Sequence, residues 1–259
     1  MKLCSRWLTI TLIYLLFPWP VSQSSANTPQ QRTMPLSRSR QCLLVVTPSW
    51  QSTNGVLAIF ERAQDGAIWL QRGGNIPVVV GKNGLAWGRG IAGLQTFRGP
   101  VKREGDERAP AGIFRLSSAF GYGPVNEVRH IKLPYVALTE QSEAIDDPTS
   151  RYYNQLVERS RISAPDWHSS EKMRLPGNPY RWGIVIDHNT PPVKGAGSCI
   201  FLHVWRGPAR PTSGCTAMAE QNLKALLAWL DPQANPVIVQ LPFQEFERLR
   251  SDWHLPQER

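Results

Sequence analysis

Cys215 and His203 are the two residues of this chain whose types and spacing best suit covalent chemistry. A thiol at its ordinary pKa of about 8.5 is only a few per cent thiolate at neutral pH, so a cysteine nucleophile needs a base beside it. An imidazole can take that proton. Arg206 and Arg210 lie between the two residues, and we expect their positive charge to favour the thiolate. These residues indicate a cysteine that attacks a carbonyl carbon.

The stretch 198–218 also contains the elements that would position these side chains. Residues 198–205 alternate in a way that predicts a strand with His203 on one face. A Gly- and Pro-containing loop, 206–211, ends that strand and leads to a tight turn at 212–215. An amphipathic helix follows, and its N-terminus should also favour the thiolate. On these residues alone, a buried cysteine and a hydrogen-bonded core histidine remain an equal alternative.

Backbone N–H groups at the turn are candidates for an oxyanion hole. Ser213, Gly214 and Cys215 would supply them, since a glycine allows the turn that aims such groups inward.

Two alternatives concern the histidines. His188 ends a predicted strand, 180–188, that should pair with 198–205, so it is the rival for the role of base. His203 is preferred because it leads directly into the cysteine loop. A zinc peptidase would use Asp187, His188, His203 and a cysteine, but the chain lacks the His-Glu-x-x-His and Cys-x-x-Cys spacings. We therefore expect neither a metal nor another cofactor.

The same stretch resembles the signature of the L,D-transpeptidase (YkuD-like) family, which is a strand histidine, a loop and then Ser/Thr-x-Gly-Cys. The matching residues are His203, Thr212, Gly214 and Cys215. Ser213 and Ala217 stand where the usual signature has a second histidine and an arginine. The chain therefore looks like the divergent branch with Ser/Thr-x-Gly-Cys-x-Ala-Met.

A second match lies about a hundred residues upstream. Residues 101–116 are a charged turn that feeds a predicted strand at 113–117, and they resemble the family's segment of Lys-x-Gly-Asp and Thr/Ala-Pro-x-Gly. The charged side chains of this turn are either contacts for substrate carboxylates or a solvated cluster; they are Lys102, Arg103, Asp106 and Arg108.

The resemblance implies a mainly β (α+β) fold, an L,D-transpeptidase-like β-sandwich with a helix after the catalytic cysteine. It also implies the reaction: Cys215 forms a thioester with a peptidoglycan stem peptide and the acyl group passes to an amine. With water as acceptor the same site would be a murein carboxypeptidase or amidase-type hydrolase, and a non-catalytic wall-binding protein is a third possibility. The family is acylated by carbapenems. We expect Arg206, Arg210 and Thr212 to bind substrate, because guanidinium groups pair with carboxylates in a fork.

Residues 1–26 read as a signal peptide, with Lys2 and Arg6 before an apolar run and small residues at 24–26. That run is short for a membrane span, although an uncleaved anchor is the alternative. We expect a periplasmic or secreted protein with a flexible leader at 27–40. Removing Lys2 and Arg6 lowers the formal charge from +9 to +7, and the chain has no dense Lys/Arg run of the kind that binds nucleic acid.

Apolar runs at 42–48, 56–62, 67–72 and 75–81 predict a β-meander at the start of a catalytic domain, 41–259. A long irregular insert at 119–180 is typical of a binding loop or lid. The three cysteines after residue 26 leave two possibilities: a disulfide between Cys42 and Cys199, or two buried thiols beside Cys215.

Overall fold

The predicted meander is present in the computed structural model, which describes residues 35–91, 98–177 and 179–257. Strand β1 (Gln41–Thr47) pairs antiparallel with β2 (Asn54–Glu61), and β2 pairs with β3 (Leu70–Val79). The two runs predicted at 67–72 and 75–81 both overlap this one strand, β3. Neighbouring ladder pairs jump from residue 76 to residue 72, so the intervening residues form a bulge without ending the pairing.

The remaining strands and helices of the described residues follow in chain order. They are β4 (Leu85–Trp87), β5 (Ala109–Gly121), β6 (Tyr135–Ala137), β7 (Ser142–Ala144), β8 (Leu156–Glu158), β9 (Glu171–Lys172), β10 (Trp182–Ile186), β11 (Phe201–Val204), β12 (Thr216–Met218), α1 (Glu220–Trp229), β13 (Val237–Pro242) and α2 (Phe243–Leu249). The mainly β class is confirmed. The strand predicted at 113–117 is the middle of the longer β5.

Eight of these strands are joined by ladders into a ring. The order is β10-β11-β12-β3-β2-β1-β13-β5, and β5 pairs again with β10. The β1–β13 and β11–β12 pairs are parallel, whereas the others in the ring are antiparallel. Both neighbours of β11 and of β12 are therefore strands, which fixes their backbones more firmly than an edge position would.

The helix after the cysteine packs its apolar face into the largest core cluster. Leu223, Leu226 and Leu227 of α1 are buried there with residues of the sheet such as Ile184 and Leu202. Burying each such side chain contributes roughly 1.5–3 kcal/mol. The predicted helix is confirmed, and it fastens the chain just after β12 to the ring of strands.

The insert is more regular than its sequence predicts. Its first residues, 119–121, are the end of β5, and the rest contains β6 and a small sheet in the order β8-β7-β9. The buried carboxylate of Glu143 holds this sheet together by accepting bonds from Trp167 Nε1 at 3.0 Å, Ser170 Oγ at 2.6 Å and Lys172 Nζ. Strands of two or three residues are too short to show as alternation, so the sequence reads as irregular.

The predicted signal peptide, 1–26, and most of the predicted leader lie outside the described residues. The last part of that leader, 35–40, is packed, so the prediction of flexibility is wrong there. Leu36 is buried, and the guanidinium of Arg62 donates to the carbonyl oxygens of Leu36, Ser37 and Ser39. Among the described residues, we find no helix with the length and apolarity needed to cross a membrane.

The three described cysteines are free thiols, so of the two possibilities the Cys42–Cys199 disulfide is not formed. Cys42 is buried in β1, in the core cluster that also holds Trp253 near the C-terminus. Cys199 packs against a different cluster, with Phe201 and Cys215. The two thiols belong to separate core clusters.

Candidate active site

Strands β11 and β12 bring His203 and Cys215 to one face of the sheet. The strands are parallel, and Leu202 stands opposite Thr216. Since neighbouring residues of a strand point to opposite faces, His203 and Cys215 both point away from that pair. Leu202 on the other face belongs to the main core. The alternation predicted for 198–205 therefore divides core from site.

The turn before Cys215 is fixed by hydrogen bonds of Thr212. Its hydroxyl accepts from the Gly214 N–H at 3.1 Å and donates to the Cys215 carbonyl oxygen at 2.6 Å. Its backbone is bonded to the residues just after β3, since its N–H donates to the Val80 oxygen and its oxygen accepts from the Lys82 N–H, both at 2.9 Å. Gly214 has φ of 146°, a conformation that favours glycine.

A cavity of about 540 Å³ opens in front of this turn. Seven residues that the sequence predicts for catalysis or substrate binding line it: Cys215, His203, Gly214, Ser213, Arg206, Arg210 and Thr212. The volume suits a peptide-sized ligand. Arg206 and Arg210 are exposed and stand at the mouth.

The Cys215 thiol is buried and protonated in the resting protein. It accepts from the Phe201 N–H at 3.3 Å and donates to the Cys199 carbonyl oxygen at 3.7 Å. Burial raises the pKa of Cys215 to about 12, and the charge of Glu171 acts in the same direction, while the Phe201 N–H and Lys102 lower it. A neutral thiol is therefore the stable form until a base acts on it.

His203 has the properties of such a base. Its Nδ1 donates to the Val204 carbonyl oxygen at 2.8 Å, because a carbonyl can only accept. Burial lowers the pKa of His203 to about 4; the Val204 bond opposes this shift and Arg206 adds to it. The ring is thus neutral at pH 7, and Nε2 carries a lone pair.

His188, the rival base, is occupied elsewhere. Its Nε2 bonds to the Ala196 carbonyl oxygen at 2.9 Å, and Nδ1 accepts from the Arg89 N–H at 3.3 Å. It does not line the cavity. Asp187 is also directed away, and it accepts a hydrogen bond from Ser117 at 2.5 Å. The four residues that a zinc site would need are therefore not brought together.

The charges around the thiol differ from those predicted. The nearby cation that lowers the pKa of Cys215 is Lys102, whereas Arg206 acts on His203 and Glu171. Lys102 is only 5% exposed and is held by Asp106. The helix predicted to favour the thiolate does not begin at the cysteine, because β12 lies between Cys215 and the start of α1.

Of the charged turn at 102–108, only Lys102 among the predicted substrate contacts reaches the cavity. Asp106 instead organises the turn, since its carboxylate accepts from the backbone N–H groups of Arg103 at 2.8 Å and Arg108 at 2.9 Å. The Arg108 guanidinium donates to the Leu85 carbonyl oxygen at 3.0 Å. The turn is a scaffold for one buried cation.

A family model described as the L,D-transpeptidase catalytic domain matches residues 57–239, a range that includes both segments compared above. The chain belongs to the L,D-transpeptidase catalytic domain family. No curated protein sequence matches it. Among solved structures it is similar to the helical cell shape determining protein Pgp2 from Campylobacter jejuni, with 13% identity and a TM-score of 0.37 over 79% of this chain and 48% of that one. The chain thus spans about half the length of Pgp2.

One wall of the cavity in this L,D-transpeptidase domain comes from residues that the sequence did not point to. The insert supplies Asp146, Glu171 and Tyr180, and Cys199 lies beside them. The Tyr180 ring meets the His203 ring edge-on, with centroids 5.1 Å apart. No local pattern marks these residues, because only the folded insert carries them to the cysteine.

Proposed function

We propose that this protein is a cysteine acyltransferase, an L,D-transpeptidase that acts on peptidoglycan stem peptides through a thioester at Cys215. The family match gives the type of enzyme. The observation that supports this chemistry most directly is the pair of Cys215 and a neutral His203 on one face of β11 and β12.

In the proposed reaction, the Cys215 thiol turns from the Cys199 oxygen and gives its proton to Nε2 of His203. The sulfur attacks the peptide carbonyl carbon, the C–N bond breaks, and the imidazolium returns the proton to the leaving amine. The Val204 oxygen, which accepts from Nδ1, holds the ring in the required tautomer and stabilises its positive form.

The developing oxyanion would be bound by the N–H groups of Ser213 and Cys215. The Gly214 N–H, predicted as a third donor, is already bound to Thr212. The Ser213 and Cys215 N–H groups form no backbone hydrogen bond with any residue in the described ranges. Gly214 serves this arrangement through its backbone conformation instead.

The second half of the reaction reverses the first. An acceptor amine attacks the thioester, His203 takes its proton, and the thiolate leaves and is protonated again. Arg206 and Arg210 at the mouth of the cavity would pair with substrate carboxylates. We propose that residues 1–26 direct export, so that the enzyme meets this substrate in the periplasm or outside the cell.

Mass analysis of muropeptides incubated with the purified protein tests this function. We expect cross-linked or amine-exchanged products from wild type, and none from Cys215→Ala. Cys199→Ala is the matched control, because Cys199 is a free thiol in the same cavity, and it should retain activity.

If wild type instead gives shortened stem peptides and no product that carries a transferred amine, the reaction is hydrolysis and not transpeptidation. Wild-type protein that binds muropeptides without converting them would contradict the enzyme proposal and support a wall-binding protein.

A further inference from the structure

Four carboxylates line the cavity, and the partner of Glu171 is Tyr180, whose ring contacts that of His203. Glu104 accepts from the Tyr153 hydroxyl, Glu107 is paired with Lys82, and Asp146 accepts from Ser169 Oγ at 2.6 Å. Glu171 accepts a hydrogen bond from the hydroxyl group of Tyr180. Like Glu104 and Asp146, it forms no ion pair with a residue in the part of the chain that the structure describes.

Glu171 is linked to the reacting residues through Tyr180. The ring of Tyr180 contacts that of His203 and packs in the same apolar cluster as Cys215. Although Glu171 is open to solvent on one side, burial of its carboxyl group by the surrounding atoms raises its pKa. The charge of Asp146 also raises this pKa, whereas the hydrogen bond from Tyr180 and the charge of Arg206 lower it. Glu171 in turn raises the pKa of Cys215.

An acidic side chain at this place opposes formation of the thiolate in the empty site. A cation bound to Glu171 would remove that repulsion. The cation must be present before the sulfur attacks, so it must arrive with the acyl donor; the acceptor enters only after the thioester has formed.

We propose that Glu171, held by Tyr180, binds a primary ammonium group of the acyl donor and thereby couples donor binding to activation of Cys215. This inference rests on the proposed acyl transfer and adds a specificity-determining residue to it. The donor would carry an ammonium for Glu171 and a carboxylate for Arg206, as a diamino-acid residue of a stem peptide does.

Two measurements on Glu171→Gln test the proposal. The first is the rate at which iodoacetamide alkylates Cys215 in the empty site, followed by peptide mapping so that Cys199 is counted separately. Loss of the negative charge should raise this rate by roughly threefold to tenfold, since one pKa unit changes the thiolate fraction tenfold.

The second measurement compares two donor peptides that differ only in whether the side-chain amine is free or acetylated. Wild type should prefer the free amine by roughly tenfold to a hundredfold in kcat/KM, the range expected for one charged hydrogen bond. Glu171→Gln should lose this preference. Glu107→Gln, another cavity carboxylate, should keep wild-type behaviour in both measurements.

Equal losses for the two donors in Glu171→Gln, or an unchanged alkylation rate, would overturn the proposal while leaving acyl transfer intact. Failure of wild type to form a thioester with either donor would instead overturn the proposed function, and with it the donor role of Glu171.

Discussion

Two buried histidines have different surroundings: His188 lies in the connection between β10 and β11, and His203 lies within β11. His188 and His203 are both neutral, since burial lowers the pKa of each to about 4. At His188 both ring nitrogens are bonded to the backbone, at Arg89 and Ala196. At His203 one nitrogen is bonded to Val204, and the ring lines the cavity.

Burial and a shifted pKa therefore do not by themselves mark a catalytic histidine. Both residues show those properties. They differ because Nε2 of His203 remains available to accept a proton, whereas both ring nitrogens of His188 are bonded to the backbone. The region around His188 is a closed network, in which Asn189 also bonds to Val193 and Gly197. The region around His203 is fixed on the core side and open towards the cavity.

The largest difference should appear in the rate of acylation. His203→Gln should slow acylation of Cys215 by roughly 10²–10⁴-fold, because a general base is lost. His188→Gln should change it by less than about tenfold, since His188 does not line the cavity. Single-turnover kinetics with a fixed donor measures both. Similar losses in the two variants would remove the distinction between the regions.

Acid should destabilise both regions. Each histidine has a folded pKa of about 4 against an ordinary value of 6.5, so between these pH values the unfolded chain binds more protons. The free energy of unfolding should therefore fall as the pH is lowered from 6.5 towards 4, by up to about 3 kcal/mol per histidine.

Urea unfolding at several pH values checks this, with each His→Gln variant as the comparison. Both variants should show a shallower loss than wild type over this window. Parallel curves for wild type and variants would mean that neither histidine is kept neutral by the fold.

The closed network should depend on its histidine for stability. His188→Ala leaves the Ala196 oxygen and the Arg89 N–H without their partner and should lower the free energy of unfolding by about 2–3 kcal/mol. His203→Ala should cost less, because only the Val204 oxygen loses a partner and water can enter from the cavity. Thermal unfolding at pH 7.5 ranks the two variants. A larger loss for His203→Ala would contradict the greater dependence of the His188 network on its histidine.

The smallest effect concerns the turn that aims the cysteine. Thr212→Val keeps the shape but removes the hydroxyl that bonds to Gly214 and Cys215, at a cost of about 1 kcal/mol. The free-energy barrier to acylation should rise by more than the free energy of unfolding falls, because the turn positions the N–H groups that bind the oxyanion. Thr212→Ser should recover most of the rate, and equal defects in Ser and Val variants would show that the hydroxyl is not the cause.

The parts of the site that are continuous in sequence could be predicted, and the parts brought in from a distance could not. Strand alternation indicated the face of His203, and the Gly turn indicated the cysteine. The sequence indicated Lys102 only as one member of a charged turn. Its position near the Cys215 thiol depends on the folding of that turn around Asp106. Glu171 and Tyr180 reach the cavity only because the insert is anchored elsewhere.

Asn154 shows how that anchoring works. Its amide donates to the carbonyl oxygens of His188 and Asn189 at 3.0 Å each, and its oxygen accepts from the Cys199 N–H at 2.8 Å. These bonds join residues between 34 and 45 positions apart, beyond any local pattern. Distance in sequence also explains the prediction for Arg206 and Arg210. They lie close to Cys215 in sequence, which suggested that they favour the thiolate, but in the folded protein Lys102 is the cation that lowers the pKa of Cys215.

The role of Cys215 as the nucleophile is tested by the intact mass of the protein after exposure to a carbapenem, which acylates the nucleophile of this family. We expect a single covalent adduct on wild type and on Cys199→Ala, none on Cys215→Ala, and slow formation on His203→Gln. An adduct that persists in Cys215→Ala, or wild type that stays unmodified by both carbapenem and stem peptide while Cys215 is reduced, would contradict a thioester mechanism at this residue.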